Sequence, residues 1–184
     1  MLPIFLGTLM VVRNLAPDPS ELPADVVIAG PVGTREYVER LISDGYGSEL
    51  LDLISERVRP RYVVLQDGSD ETIAGYRVRA HAVVHSLGPS LAYAVSDGSG
   101  TTIGFSGDTT MCAGLRRVVA LSNLMVCECT SWDAPIPSHL WQGEVSELIA
   151  SHPQTKFLLS HLTERRTLPG AFIAHDLLTL DVSA

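Results

Sequence analysis

The stretch TTIGFSGDTTMCAGLRRVVALSNLMVCEC, residues 101–129, contains the pattern that decides the fold class. It predicts a strand over Thr101–Ser106, a short helix over Leu115–Ala120 and a strand over Leu124–Cys129. A turn at Gly107-Asp108 ends the first strand. Strands and helices therefore alternate here, which indicates an α/β or α+β fold.

The same alternation continues on both sides of this stretch. Further strands are predicted over Asp25–Ala29, Arg61–Leu65, Thr72–Val84, Leu91–Ser96 and Lys156–Ser160. Further helices are predicted from Thr34 to the glycines at 45 and 47, over Glu49–Val58 and over Gly143–Ser151. Thr34 is expected to cap the first of these helices, and Asp97–Gly100 to form a hairpin turn.

Length and composition favour one folded domain. The chain has 184 residues, of which 46% are hydrophobic and only 18% charged, so a disordered chain is not expected. The formal net charge of −8 argues against a protein that grips nucleic acid backbones, because that task needs clustered Lys and Arg. We therefore expect one folded domain whose main role is not to bind nucleic acid.

The cysteines and the amino terminus bear on location. Three cysteines form no disulfide framework, which favours the reducing cytoplasm. On a strand, Cys127 and Cys129 would share one face as small buried residues, with Glu128 on the other face. The apolar segment Met1–Val12 is too short to span a bilayer, so no membrane association is expected.

Several groups that bind metals lie where predicted strands end. His85 and His161 each follow a strand, Asp108 lies in the turn after another, and His139 lies in a proline-rich loop before a helix. Two imidazoles and a carboxylate on neighbouring strand ends could form a zinc or manganese site. The alternative is that each histidine is a hydrogen-bonded surface residue and that Asp108 only forms a turn.

The order of several short motifs gives a more specific indication. The motifs are Gly30–Thr34, His85-Ser86 with Ala92-Tyr93, Ser106–Thr109, Glu128–Thr130 with the later His139, and Leu158–Arg165. Together they resemble the metallo-β-lactamase superfamily, and within it the ribonuclease Z-like and phosphodiesterase branch.

This resemblance implies an αββα sandwich with a two-metal site, occupied by Zn²⁺ or by Mn²⁺, along one edge of its sheets. The histidine in the position of His85 would bind one metal, Asp108 would bridge both, and His161 would bind the second. Glu128 and His139 would form a catalytic pair, with His139 placed near the leaving group.

One signature of the superfamily has no counterpart in the chain. The motif His-x-His-x-Asp-His, followed by Gly-Leu-Pro, is missing, and only Leu2-Pro3 matches its tail. Pro3–Val12 would then correspond to the first helix of the fold. Residues 1–184 are therefore expected to be a single metallo-β-lactamase-like domain without its first strands, with its activity impaired.

The expected function is hydrolysis of phosphodiester or other ester bonds by a water activated between two metals. Ribonuclease Z carries a long tRNA-binding arm where Ala94–Phe105 forms one tight hairpin, so a small substrate is favoured over tRNA. Two alternatives stay open: an inactive, degenerate domain that acts in binding or dimerisation, and an endonuclease that processes RNA 3′ ends. A homodimer is also left open.

Some residues near these motifs have structural and functional interpretations side by side. His81 would share a strand face with His85 and is expected to be packed rather than to bind metal. Trp132 and Trp141 either pack or wall a substrate pocket, and the pair Arg165–Arg166 either contacts a phosphate or lies free on the surface.

Overall fold

A computed structural model describes residues 26–57, 59–86 and 88–182 of the chain. The chain divides into two compact units, one ending at Leu65 and the other beginning at Gln66. The helix expected over Pro3–Val12 lies outside the described residues. The assignment of residues 1–184 to a single domain stays a prediction.

The first unit is a pair of parallel strands joined by two helices. Its elements are β1 Val27–Gly30, α1 Thr34–Tyr46, α2 Ser48–Arg57 and β2 Arg61–Val64. A parallel pair needs a long crossover connection, which the two helices provide. The apolar side chains of Val38, Ile42 and Ile54 are buried together and form the core of this unit.

The start of α1 corrects one expectation. Thr34 is not the capping residue, because Gly33 occupies that position with a φ of +88° and makes no side-chain cap. A glycine adopts this left-handed conformation without the steric cost that a threonine would incur. The Thr34 hydroxyl instead donates a hydrogen bond of 2.6 Å to the carbonyl oxygen of Pro31 in the preceding turn.

The second unit is built on a seven-stranded sheet whose strands lie side by side in chain order. Its elements are β3 Asp70–Ile73, β4 Tyr76–Val83, β5 Ser90–Ser96, β6 Thr102–Phe105, α3 Ala113–Ala120, β7 Leu124–Glu128, α4 Gln142–Ser151, β8 Lys156–Ser160 and β9 Ala171–Ile173. Strands β3 to β6 pair antiparallel, and strands β6 to β9 pair parallel. The predicted mixture of strands and helices is confirmed.

The predicted strand Thr72–Val84 is wrong in one respect. It is a hairpin of β3 and β4, with Ala74 at φ +50° and Gly75 at φ +85° in the turn between them. Strand-forming residues on both sides of this turn conceal it in the sequence. The strand β9 was also not predicted.

Strand direction places the functional side chains. Two successive antiparallel steps, from β4 to β5 and from β5 to β6, make β4 run in the same direction as β6. Strands β7 and β8 continue parallel to β6. The carboxyl ends of β4, β6, β7 and β8 therefore meet at one edge of the sheet.

Helices α3 and α4 take part in the larger core. The core contains buried residues of both helices and of the strands, among them Leu115, Val145 and Phe157. Helix α3 approaches β4 so closely that a Cβ atom at Gly114 would lie 1.8 Å from the carbonyl oxygen of Ala82. Only glycine can occupy this position without moving the helix away from the strand.

Cys127 in β7 and Cys129 directly after this strand belong to the core, as predicted. Cys127 and Cys129 are fully buried. Burial raises the pKa of the Cys129 thiol to about 11 and that of Cys127 well above its ordinary value. Both side chains therefore stay protonated at neutral pH and act as small apolar residues.

Among residues 26–57, 59–86 and 88–182, no helix combines the length and the apolar character that crossing a bilayer requires.

Candidate metal centre

The chemistry-bearing side chains gather at the edge of the sheet where β4, β6, β7 and β8 end. His85 follows β4, Asp108 follows β6, Glu128 ends β7 and His161 follows β8. His139 reaches the same place from the loop between β7 and α4. His161 directly follows β8 and has a left-handed backbone conformation with a φ of +52°.

The five side chains form two overlapping groups. The donor atoms of His85, Asp108 and His139 lie within 4.8 Å of one another, and so do those of Glu128, His139 and His161. The His139 ring is close to both other imidazoles, with centroid distances of 5.3 Å to His85 and 5.2 Å to His161. The Nδ1 atom of His161 is 3.4 Å from Oδ1 of Asp108, which connects the two groups.

Glu128 forms the buried centre of the arrangement, and its side chain is 2% exposed. Its Oε1 accepts a 2.5 Å hydrogen bond from the backbone N–H of Thr109, and its Oε2 accepts a 2.6 Å bond from the hydroxyl of Thr130. Both carboxylate oxygens lie 3.2 Å from Nδ1 of His139. The backbone N–H of Glu128 donates to Oγ of Ser106 at 2.9 Å.

These contacts fix the protonation pattern of the pair. An ionised carboxylate only accepts hydrogen bonds, so His139 must carry its proton on Nδ1 to bond with Glu128. The Nε2 atom of a neutral His139 then carries a lone pair and can accept a proton. A buried carboxylate with three donors around it is a satisfied group, so Glu128 is suited to orienting His139.

The remaining donors are open to solvent. The side chain of Asp108 is 42% exposed and that of His161 is 50% exposed, whereas that of His139 is 21% exposed. Imidazole nitrogens together with carboxylate oxygens are a donor set that suits Zn²⁺ and also Mn²⁺. These side chains lie within reach of one another and are accessible to solvent, so they fit a divalent metal site.

Three of the side chains with two interpretations make structural contacts, and the interpretations of Trp141 and Arg165 stay open. His81 belongs to neither group, and its Nδ1 atom lies 3.4 Å from Oδ1 of Asp67. Trp132 is buried in the core, and its indole N–H donates to the carbonyl oxygen of Glu164 at 2.9 Å. Arg166 is engaged in surface ion pairs, one of them a two-bond contact with Asp133.

Three residues of the site were missed by reasoning from the sequence. Ser106, Thr109 and Thr130 each bond to Glu128, yet none was given a role. The available signal was their position inside the motifs Ser106–Thr109 and Glu128–Thr130, beside the acidic residues at strand ends.

The chain was compared with protein families, curated sequences and solved structures. No protein-family model matches the chain, and no curated protein sequence matches it significantly. Solved structures do match. The metallo-beta-lactamase fold protein YhfI from Bacillus subtilis superposes with a TM-score of 0.65 at 14% identity, covering 93% of this chain and 68% of that one.

Two other solved structures are similarly close. The short form of human tRNase Z has a TM-score of 0.66 at 17% identity, over 97% of this chain and 73% of that one. A diphosphatase from the PhnP family has a TM-score of 0.64 at 14% identity, over 93% of this chain and 64% of that one. Likeness at such low identity establishes shared architecture, and this chain therefore has the metallo-β-lactamase fold.

Proposed function

We propose that this protein is a metal-dependent hydrolase that cleaves phosphodiester bonds in a small substrate. The observation that carries the proposal is the convergence of five side chains at one sheet edge: His85, Asp108, His161 and the buried pair of Glu128 and His139. The first three are the proposed metal ligands. The pair is proposed to handle the proton of the reaction.

The proposed role of the metal depends on the donor atoms that these side chains offer. His85, Asp108 and His161 would hold divalent ions, with Asp108 between the two imidazoles. Bound Zn²⁺ or Mn²⁺ would polarise a phosphoryl oxygen and lower the pKa of a bound water.

His139 is the proposed general acid. Its Nδ1–H is held by Glu128 at 3.2 Å, so its Nε2 atom can hold a second proton and release it to a departing alkoxide. Glu128 is the positioning residue that keeps the ring in this orientation.

Charge and the hairpin at Asp97–Gly100 support the proposed substrate class. A chain with net charge −8 offers little attraction for a long polyanion such as tRNA. The connection between β5 and β6 is a tight turn that contributes no extended arm. Among the similar structures, one is named as a tRNase and one as a diphosphatase, so phosphate ester chemistry is compatible with the fold.

The test combines metal content with turnover. The chain would be purified without chelators, supplied with zinc or manganese, and measured by mass spectrometry and by hydrolysis of bis(p-nitrophenyl) phosphate and a cyclic nucleotide. We expect metal-dependent hydrolysis that falls at least about 100-fold in His139→Gln, the loss typical of a removed general acid. The matched control is His152→Gln, at the end of α4, which should keep full activity.

Three outcomes would contradict the proposal. Metal binding with no hydrolysis of either diester would favour the binding or dimerisation role. More efficient cleavage of precursor tRNA than of the small diesters would favour 3′ processing. Equal loss of activity in His139→Gln and His152→Gln would remove His139 from the reaction.

A further inference from the structure

We propose that Thr130 is a positioning residue that fixes the tautomer of His161. In this arrangement the Thr130 hydroxyl links His161 to Glu128, so that neutral His161 carries its proton on Nδ1 and presents the lone pair of Nε2. The inference rests on the proposed function only in taking His161 as a metal ligand. Its first test needs neither metal nor activity.

The argument begins with the single proton of the hydroxyl. Oγ1 of Thr130 lies 2.6 Å from Oε2 of Glu128, and a carboxylate can only accept, so the hydroxyl proton is committed to Glu128. The same oxygen lies 2.9 Å from Nδ1 of His161. Because the hydroxyl has no second proton to donate, it must accept in that contact, and Nδ1 of His161 must be the donor.

The neighbouring histidine does not compete for this acceptor. Nδ1 of His139 is 3.4 Å from Oγ1 of Thr130 but 3.2 Å from each oxygen of Glu128. The charged carboxylate is both the nearer and the stronger acceptor. Glu128 therefore orients two imidazoles, His139 directly and His161 through the hydroxyl of Thr130.

Asp108 is the other acceptor within reach of His161. Its Oδ1 lies 3.4 Å from Nδ1 of His161, beyond the usual hydrogen-bond range and longer than the 2.9 Å contact with Thr130. Without the Thr130 hydroxyl, neither Asp108 nor Glu128, whose Oε2 lies 4.0 Å from Nδ1 of His161, would be within that range. Thr130 thus holds the Nδ1 proton and leaves Nε2 of His161 with its lone pair.

The direct test is the tautomer itself in the metal-free chain. Histidine labelled with ¹⁵N would be examined by long-range ¹H–¹⁵N correlation under conditions where the imidazole is neutral, and the His161 signals would be assigned with His161→Gln. We expect the Nδ1–H form in the wild type and in Thr130→Ser, and a shift toward the Nε2–H form in Thr130→Val. His139 should keep its Nδ1–H form in all three proteins.

A second measurement reports on the consequence for the ligand. Zinc affinity, measured by competition with a chelator, should fall about 10- to 100-fold in Thr130→Val and change little in Thr130→Ser, as for other residues that orient a ligand. The control is Thr155→Val at the opposite end of β8, which loses a 2.9 Å hydroxyl bond to the carbonyl oxygen of Ser122. Circular dichroism would verify folding.

The inference is overturned if wild-type His161 is the Nε2–H tautomer, or if Thr130→Val leaves the tautomer unchanged. It is also overturned if Thr155→Val lowers zinc affinity as much as Thr130→Val, because the effect would then be general destabilisation. A failure to hydrolyse phosphodiesters would contradict the proposed function and leave the tautomer result standing.

Discussion

The candidate centre has two layers that differ in burial. The buried carboxylate network consists of Glu128 with Ser106, Thr109 and Thr130, and hydrogen bonds of 2.5 to 2.9 Å join Glu128 to each of the other three. The exposed ligand set consists of His85, Asp108 and His161. Its carboxylate, on Asp108, is 42% exposed, whereas that of Glu128 is 2% exposed.

The difference in burial separates residues that stabilise the fold from residues that are available to bind a ligand. A buried charge is costly unless hydrogen bonds replace the lost water, so the network around Glu128 must form for the sheet edge to fold as it does. An exposed carboxylate stays hydrated and contributes little to stability. The exposed ligand set is therefore available to bind a metal ion without first breaking contacts that hold the protein together.

The largest expected effect comes from making the same chemical change in both layers. Glu128→Gln replaces an acceptor oxygen by an NH₂ group and leaves buried donors unsatisfied, so it should lower the free energy of unfolding by about 3 kcal/mol. Asp108→Asn should change it by less than about 0.5 kcal/mol, because Asp108 is solvated. Urea unfolding of the metal-free proteins measures both values. Equal destabilisation by the two variants would show that the layers do not differ.

The second largest effect is expected on zinc affinity, which should depend on the exposed ligand set. Asp108→Asn should weaken zinc binding at least about 100-fold, more than the loss of a group that only orients a ligand. His81→Ala should bind zinc close to the wild-type level, because its imidazole faces Asp67 and not the centre. Competition with a chelator measures both affinities. Comparable losses in the two variants would overturn the assignment of Asp108 as a ligand.

Much of this comparison could be anticipated from the sequence. Runs of β-branched and apolar residues predicted β7 and β8, and the polar residues that follow or end them predicted where the site lies. His85, Asp108, His139 and His161 were selected by their positions at strand ends or before a helix, whereas Glu128 was selected only through the resemblance to the metallo-β-lactamase superfamily. The residues that bond to Glu128 were not, because serine and threonine are common at strand ends for reasons unrelated to function.

What the sequence could not provide is the pairing of the strands. Whether His85 lies near Asp108 depends on β4 and β6 running in the same direction on either side of β5. That arrangement is set by packing between segments distant in the chain. The turn at Ala74–Gly75 and the short strand β9 were missed because their local patterns are weak.

The smallest expected effect is on the rate at which the cysteines near the buried network are alkylated. Cys127 and Cys129 are fully buried with raised pKa values, about 11 for Cys129, so neither forms a reactive thiolate at neutral pH. Cys112 is only partly buried. Mass spectrometry of the native chain during alkylation by iodoacetamide should therefore show Cys112 modified first.

The two variants then sharpen the comparison between the layers. Glu128→Gln should speed alkylation of Cys127 severalfold, because a weakened network opens more often and exposes the adjacent strand residue. Asp108→Asn should leave that rate at the wild-type value, since the exposed ligand set does not hold β7 in place. Faster labelling of Cys127 in Asp108→Asn would mean that the exposed residues also support the core, and the two layers would then act as one structural unit.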